Sequence, residues 1–187
     1  MKGYLMRPWK RLASLPVLEN RWFHVTADRC ELPDGKVIDP YFVVHESEWV
    51  HILAVDHAGE ILVVRQYRYA ADTVCTELPG GIVDQGEEPL AAARRELREE
   101  TGYTAQSWSS VGWLFANPAR QTNRVHLFIA RELTASGDQQ LDASEDISFG
   151  FLSANALETA ISEGDFSQAL HVASYFRGRQ FLRSSDA

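Results

Sequence analysis

Residues 80–103 of the chain read GGIVDQGEEPLAAARRELREETGY, and the second half of that stretch decides how the rest is read. From Glu87 to Thr101 the spacing predicts a helix, which Gly102 stops. At about 100° per residue, Glu96, Glu99 and Glu100 fall on one side within an arc of roughly 100°. Leu90, Ala93 and Leu97 form a second arc beside it, suited to packing on a sheet, while Arg94 and Arg98 project toward solvent. Three carboxylates at such spacing repel one another, costing an isolated helix roughly 0.2–0.5 kcal/mol per pair. A fold keeps them more readily when a cation neutralises them, and hard divalent ions such as Mg²⁺ take oxygen ligands. An acidic triplet alone is more often a solvated face. Here its surroundings favour a site. Gly80-Gly81 lets bare backbone approach a ligand, and Arg95 can pair with Glu87 to brace the loop rather than to touch substrate.

Outward from the helix, the chain alternates short strand-like runs with turns. Residues 21–30 and 36–45 are rich in Val, Phe, Tyr, Thr and Trp and flank Leu32-Pro33-Asp34-Gly35, which predicts a β-hairpin extension over residues 1–47. A second hairpin is expected from Trp49–Val55 and Ile61–Val64 around Asp56-His57-Ala58-Gly59, both arms apolar enough to be buried on both faces. Further strands are expected at 74–79, 107–115, 124–131 and 147–152. Helices follow at 153–163, capped by Ser153 and ended by Gly164, and at 166–182. Strands with helices placed irregularly among them predict an α/β fold, a mixed sheet with helices packed against it, over residues 48–187.

The chain has 187 residues, 45% hydrophobic and 24% charged, which suits one domain with a small extension. A net charge of −8 argues against a nucleic-acid polymer as partner, because phosphate backbones are held by surplus Lys and Arg. It leaves room for a small phosphorylated substrate, since bound cations invert the sign of an acidic pocket. No apolar run is long enough to span a membrane, and residues 1–8 lack the pattern of a signal peptide. Cys30 and Cys75 have no metal-binding spacing and read as two buried free thiols, so a cytoplasmic location is expected. No HxxxH, GxSxG or GxxxxGK signature occurs, and His126 and His171 lie in apolar patterns that suit packing or backbone bonds.

Gly81, five residues, Glu87, seven residues, then Arg95-Glu96-Leu97-Arg98-Glu99-Glu100-Thr101-Gly102-Tyr103 resembles the Nudix box at every fixed position, with aromatic Tyr103 where an aliphatic is commoner. The resemblance implies a Nudix αβα sandwich that hydrolyses a nucleoside diphosphate linked to another group. It implies Mg²⁺ or Mn²⁺ held by Glu96, Glu100 and, in many members, Glu99, with the carbonyl of Gly80 as a backbone ligand. Such ions neutralise a diphosphate and lower the pKa of an attacking water. Glu145, in Asp142-Ala143-Ser144-Glu145-Asp146, is similar in placement to a carboxylate that binds metal or acts as base in related pyrophosphatases. The base is therefore Glu145, Glu99 or no single residue.

Substrate choice must come from outside the box. Arg65-Gln66-Tyr67-Arg68 is similar to a segment of ADP-ribose and sugar-nucleotide pyrophosphatases in which the last Arg reaches a phosphate, making Arg68 the candidate clamp. Pro118 stands fifteen residues beyond Tyr103, as in the ADP-ribose pyrophosphatase subgroup. That subgroup follows with Gly and an acid, whereas this chain has Ala119, Arg120 and Arg124, two arginines that could read base, ribose or phosphate. The expected substrate is ADP-ribose or a related nucleoside diphosphate sugar, with a GDP-mannose-type compound as the alternative. The extension resembles one that family members exchange across a homodimer, with Trp22, Phe23 and Tyr41 as aromatics of the kind that stack on a base. A rival of another class is a Nudix-fold sensor that binds a nucleotide sugar without turning it over. The isomerase branch of the fold would need further acid/base residues that are not apparent.

Overall fold

A computed structural model describes residues 6–143 and 145–185. The chain forms two compact units, one comprising the residues up to Glu46 together with Phe115–Asn123, the other Ser47–Leu114 with the residues from Arg124 onward.

In the first unit β1 (Lys10–Glu19), β2 (His24–Glu31) and β3 (Val37–His45) form an antiparallel sheet in that order. The expected hairpin is the β2–β3 pair, turned where Gly35 takes a φ of 85° and donates to the Leu32 carbonyl. The third strand, β1, was not expected. All ten of its residues are exposed, so no alternation of buried and exposed positions marks it in the sequence. The segment Asn117–Thr122 joins β3 through backbone bonds between Val44 and Arg120 and between Thr122 and Val44.

The second unit contains β4 (Trp49–Ala54), β5 (Ile61–Arg68), β6 (Thr73–Glu77), β7 (Gly80–Ile82), α1 (Pro89–Thr101), β8 (Tyr103–Phe115, whose last residue joins the first unit), β9 (Arg124–Ala135), β10 (Ile147–Leu152), α2 (Ala154–Glu163) and α3 (Ala169–Ser185). Two sheets result, one in the order β7-β4-β9-β8 with β4 and β9 parallel, the other antiparallel in the order β10-β5-β6. The second hairpin is thereby corrected. Its turn forms, but β4 and β5 part into different sheets and, among the described residues, pair only at the isolated Val55–Ile61 bridge. Each is an inner strand, and the buried parts, residues 61–64 and residues 50–54 apart from His51, are apolar because both of their faces are covered.

Those faces explain the layers. Val50, Ile52 and Ala54 of β4 and Phe128 and Ala130 of β9 pack with Ala92, Ala93 and Leu97 of α1. The opposite face, Leu53 and Ile129 with Ile61 and Val63 of β5, packs with Leu157 of α2, with Phe166 from the loop before α3 and with Tyr175 of α3. The result is helix, strands, helix: the αβα sandwich expected.

Helix α1 begins at Pro89, two residues later than expected, because proline needs no N–H partner in the first turn and fixes a helical φ. Glu87 is left in the loop. At the other end Gly102, at φ 69°, donates to the Arg98 carbonyl and closes the helix. Ser153 caps α2 through Ala156 N–H, and Gly164 ends it at φ 92°. Helix α3 starts at Ala169 rather than 166, because Phe166 is spent in the core and Gln168 accepts bonds from the N–H groups of Leu170 and His171. Among the described residues no helix is long and apolar enough to cross a membrane.

Candidate active site

Two elements meet at the acids: the outer turns of α1 and the short strand β7 with its preceding Pro79. Glu96 and Glu100 lie on the packed side of α1 and are buried, whereas Glu99 at the margin is partly exposed. The Gly80 N–H donates to Glu100 Oε2 at 2.9 Å. A Cβ on Gly81 would stand 2.5 Å from Glu96 Cδ, so the bare α-carbon is what leaves room for that carboxylate. A Cβ on Gly80 would instead collide with the backbone carbonyl of Val50.

Arg95 organises the rim. Its Nε and Nη2 donate to the two oxygens of Glu87 at 3.1 and 2.9 Å, and Nη2 also to the Ile82 carbonyl at 3.0 Å. Its Nη1 donates to Glu96 Oε1 at 2.8 Å and to Glu99 Oε2 at 3.2 Å. One guanidinium therefore ties the loop to the helix and also lies against two of the acids. Glu87 further accepts from the Asp84 N–H, which closes the turn before α1.

Glu145 approaches from the loop before β10, its carboxylate accepting from the Asp142 N–H at 3.0 Å. Ser144, within that segment, lies outside the described residues. The charge of Glu145 is felt at both Glu96 and Glu100. Burial raises the Glu96 carboxyl, the bonds and charge of Arg95 oppose this, and the charges of Glu99 and Glu145 add to the rise. Glu100 is pushed up to about 8, chiefly by burial, then by the charges of Glu96 and Glu145, with the Gly80 bond and Arg68 pulling the other way. Among the described residues no three His, Cys, Asp or Glu side chains stand ready-spaced around a single ion.

Arg68, at the end of β5, shares a sheet face with Glu77 of β6, since Val64 pairs Glu77 and Arg68 pairs Thr73. Its Nε donates to both oxygens of Glu77 at 3.2 Å and its Nη2 to Oε2 at 2.5 Å. Burial opposes the charge of Arg68, but Glu77 and, further off, Glu100 outweigh it and raise its pKa. Behind Glu77 lie two buried imidazoles, His171 and His51, stacked 3.8 Å apart. Glu77, His51 and the interaction of His171 with Glu77 escaped the sequence reading. The available signal was one acid at the end of a short, otherwise uncharged strand, just before Leu78-Pro79-Gly80-Gly81.

The two outer arginines stand apart from this cluster in their contacts. Arg124 places its guanidinium 4.3 Å from the centre of the Trp113 ring. Arg120 belongs to the first unit, where its N–H donates to Asn117 and its carbonyl accepts from Val44. In the same unit Tyr41 donates its hydroxyl to the Ala119 carbonyl, and Trp22 is exposed beneath Arg21.

Comparison with known proteins agrees with this architecture. Residues 45–170 match the NUDIX domain and residues 9–44 the nucleoside diphosphate sugar hydrolase N-terminal domain. The chain is 34% identical over 137 residues to an ADP-ribose pyrophosphatase of Bacillus subtilis (strain 168), covering 73% of this chain and 74% of that protein. It is 31% identical over 166 residues to a GDP-mannose pyrophosphatase of Klebsiella pneumoniae, covering 83% and 78%. A crystal structure of an ADP compounds hydrolase superposes with a TM-score of 0.84 at 20% identity, over 98% of both chains. With its box intact from Gly81 to Tyr103 and its helix packed on the sheet as one outer layer, the chain belongs to the Nudix hydrolase family.

Proposed function

We propose that this enzyme hydrolyses the diphosphate bond of ADP-ribose or a closely related nucleoside diphosphate sugar, giving a nucleoside monophosphate and a sugar phosphate. The observation that carries the reading is the mutual crowding of Glu96, Glu99, Glu100 and Glu145, with Arg68 close enough for its charge to reach Glu100. The N-terminal nucleoside diphosphate sugar hydrolase match and the ADP-ribose pyrophosphatase relatives support the substrate class.

The donor set suits a hard divalent ion, Mg²⁺ or Mn²⁺: carboxylates in a partly buried pocket whose like charges and burial drive Glu100 to hold a proton unless a cation takes its place. Glu96, Glu99, Glu100 and Glu145, with the Gly80 carbonyl, are the residues that would hold it. When bound, it supplies neutralising charge for the diphosphate and a more acidic water. The chain's own residues do the rest. Arg68 presents a planar fork to a phosphate oxygen, while Arg95 with Glu87 keeps the loop on the helix. Glu145 or Glu99, both partly exposed, can take the proton of the attacking water. Arg120 and Arg124 are assigned to the nucleoside or sugar end.

We assign the first unit to homodimer formation. Its β1 is an edge strand, and Leu15, Val17 and Trp22 are 66%, 58% and 72% exposed, an apolar surface suited to a second copy of the chain. The two buried free cysteines fit a reducing compartment, the cytoplasm.

The test is a panel of ADP-ribose, GDP-mannose and other nucleotide sugars incubated with Mg²⁺, with released monophosphates read by a coupled phosphatase. The expected result is turnover that requires the ion and is fastest with one of the sugar nucleotides. Tight binding with no turnover across the panel would instead identify a sensor. The intact acids of the box argue against that.

A further inference from the structure

We propose that Glu77 is a positioning residue, packed above the buried His171 of α3, that fixes the Arg68 guanidinium in the pose from which it grips a substrate phosphate. The inference rests on the reading of Arg68 as the phosphate clamp.

Glu77 is only 2% exposed, and a carboxylate so buried needs a close partner. Arg68 supplies the pairing through Nε and Nη2, one edge of its fork, while the side chain remains 46% exposed. The Nη1 donors are not engaged by Glu77. The guanidinium is therefore anchored on its inner edge and open on its outer one, which is the arrangement a preformed anion clamp needs.

The anchor is itself flanked by buried imidazoles. His171 Nδ1 accepts the Leu78 N–H at 3.1 Å, so the neutral ring carries its proton on Nε2, and Nε2 lies 3.8 Å from Glu77 Oε2. His51 stacks on that ring at 3.8 Å and 15°, and its own Nδ1 is 3.0 Å from the Ser174 hydroxyl. Burial, with the charge of Arg68 adding to it, keeps His171 neutral by pulling its pKa to about 3. An imidazole in this state offers Glu77 a dipole without competing with Arg68 for its charge. The column Arg68, Glu77, His171, His51, Ser174 thus runs from the site to α3. Three residues beyond the end of β6, Gly80, the first residue of β7, carries the N–H that donates to Glu100.

The experiment compares four proteins with Mg²⁺ and the panel's best substrate: wild type, Glu77→Gln, Arg68→Ala and the double variant. Glu77→Gln is expected to raise KM about tenfold, the scale on which supporting partners act, with kcat changed much less. In the Arg68→Ala background it should leave KM unchanged. An equal rise in both backgrounds would overturn the proposal, because Glu77 would then act without Arg68. So would an Arg68→Ala variant with unaltered KM. Should Glu77→Gln fail to fold, Glu77→Asp takes its place in both backgrounds, with a smaller rise confined to the Arg68 background. Should wild type hydrolyse no panel member, the functional reading fails separately. Calorimetric titration of the same four proteins with ADP then decides the inference: Arg68-dependent weakening by Glu77→Gln supports it and Arg68-independent weakening overturns it.

Discussion

Glu100 faces two opposed demands, since its place on the core side of α1 removes it from water while its proposed role as a ligand requires charge. Without an ion, burial and the charges of Glu96 and Glu145 hold its carboxyl at about 8 against a usual 4.5. The folded protein then keeps a proton that the unfolded chain releases. The resulting stability is complete below about pH 4.5 and lost as the pH rises through about 8, a swing of a few kcal/mol at most. Thermal unfolding in EDTA should therefore show a Tm that falls between about pH 4.5 and about pH 8 in wild type and falls less in Glu100→Gln. Mg²⁺ should raise the wild-type Tm more at the higher pH, because binding requires the ionised carboxylate. A Tm rise independent of pH would place the ion elsewhere. The same Glu100→Gln change should leave folding intact and lower turnover by more than the roughly 10–100-fold typical of supporting groups. Arg68→Ala should raise KM more than it lowers kcat; the reverse pattern in steady-state kinetics would make Arg68 a group that acts only in the transition state.

The corner where β7 meets α1 turns two adjacent glycines to different uses. A methyl on Gly80 runs into the rigid Val50 carbonyl, so Gly80→Ala should cost about 1–3 kcal/mol of stability, read as a lowered denaturant midpoint. A methyl on Gly81 meets only the movable end of Glu96. Gly81→Ala should then unfold near the wild-type midpoint and yet lose most activity, because the displaced carboxylate is a proposed ligand. If both variants behaved alike, the cradle would have no special relation to Glu96. This corner was legible in the sequence because its parts are contiguous: the 3.6-residue period, Gly102 and the spacing of Glu96, Glu99 and Glu100 are all local. The start at Pro89 was missed only by two residues. Elements whose neighbours lie far along the chain were harder. The turn at Asp56-His57-Ala58-Gly59 looks like a hairpin from its residues alone, and only the later strands β9 and β10, by claiming β4 and β5, separate its arms.

At the scale of the molecule the αβα layers follow from strands apolar on both faces, and that much could be read directly. The first unit could not, because β1 is exposed along its whole length and its apolar residues satisfy no core of their own chain. A second copy would cover them. Light scattering should report a dimer, and Leu15→Glu combined with Val17→Glu should shift it to a monomer without changing the Tm of the second unit's core by more than about 0.5 kcal/mol equivalent. A monomeric wild type would remove the dimer assignment. The Arg68–Glu77–His171 column was equally hidden, since it joins β5, β6 and α3 across about a hundred residues and no local pattern marks a buried acid as an anchor.

If one turn of α1 gathers a divalent ion for diphosphate chemistry, as proposed, the protein should remove free Mn²⁺ signal in an electron paramagnetic resonance titration. Wild type is predicted to take up Mn²⁺, and Glu96→Gln and Glu100→Gln each to weaken that uptake at least about tenfold while keeping the wild-type fold. Equal uptake by all three proteins would contradict the account.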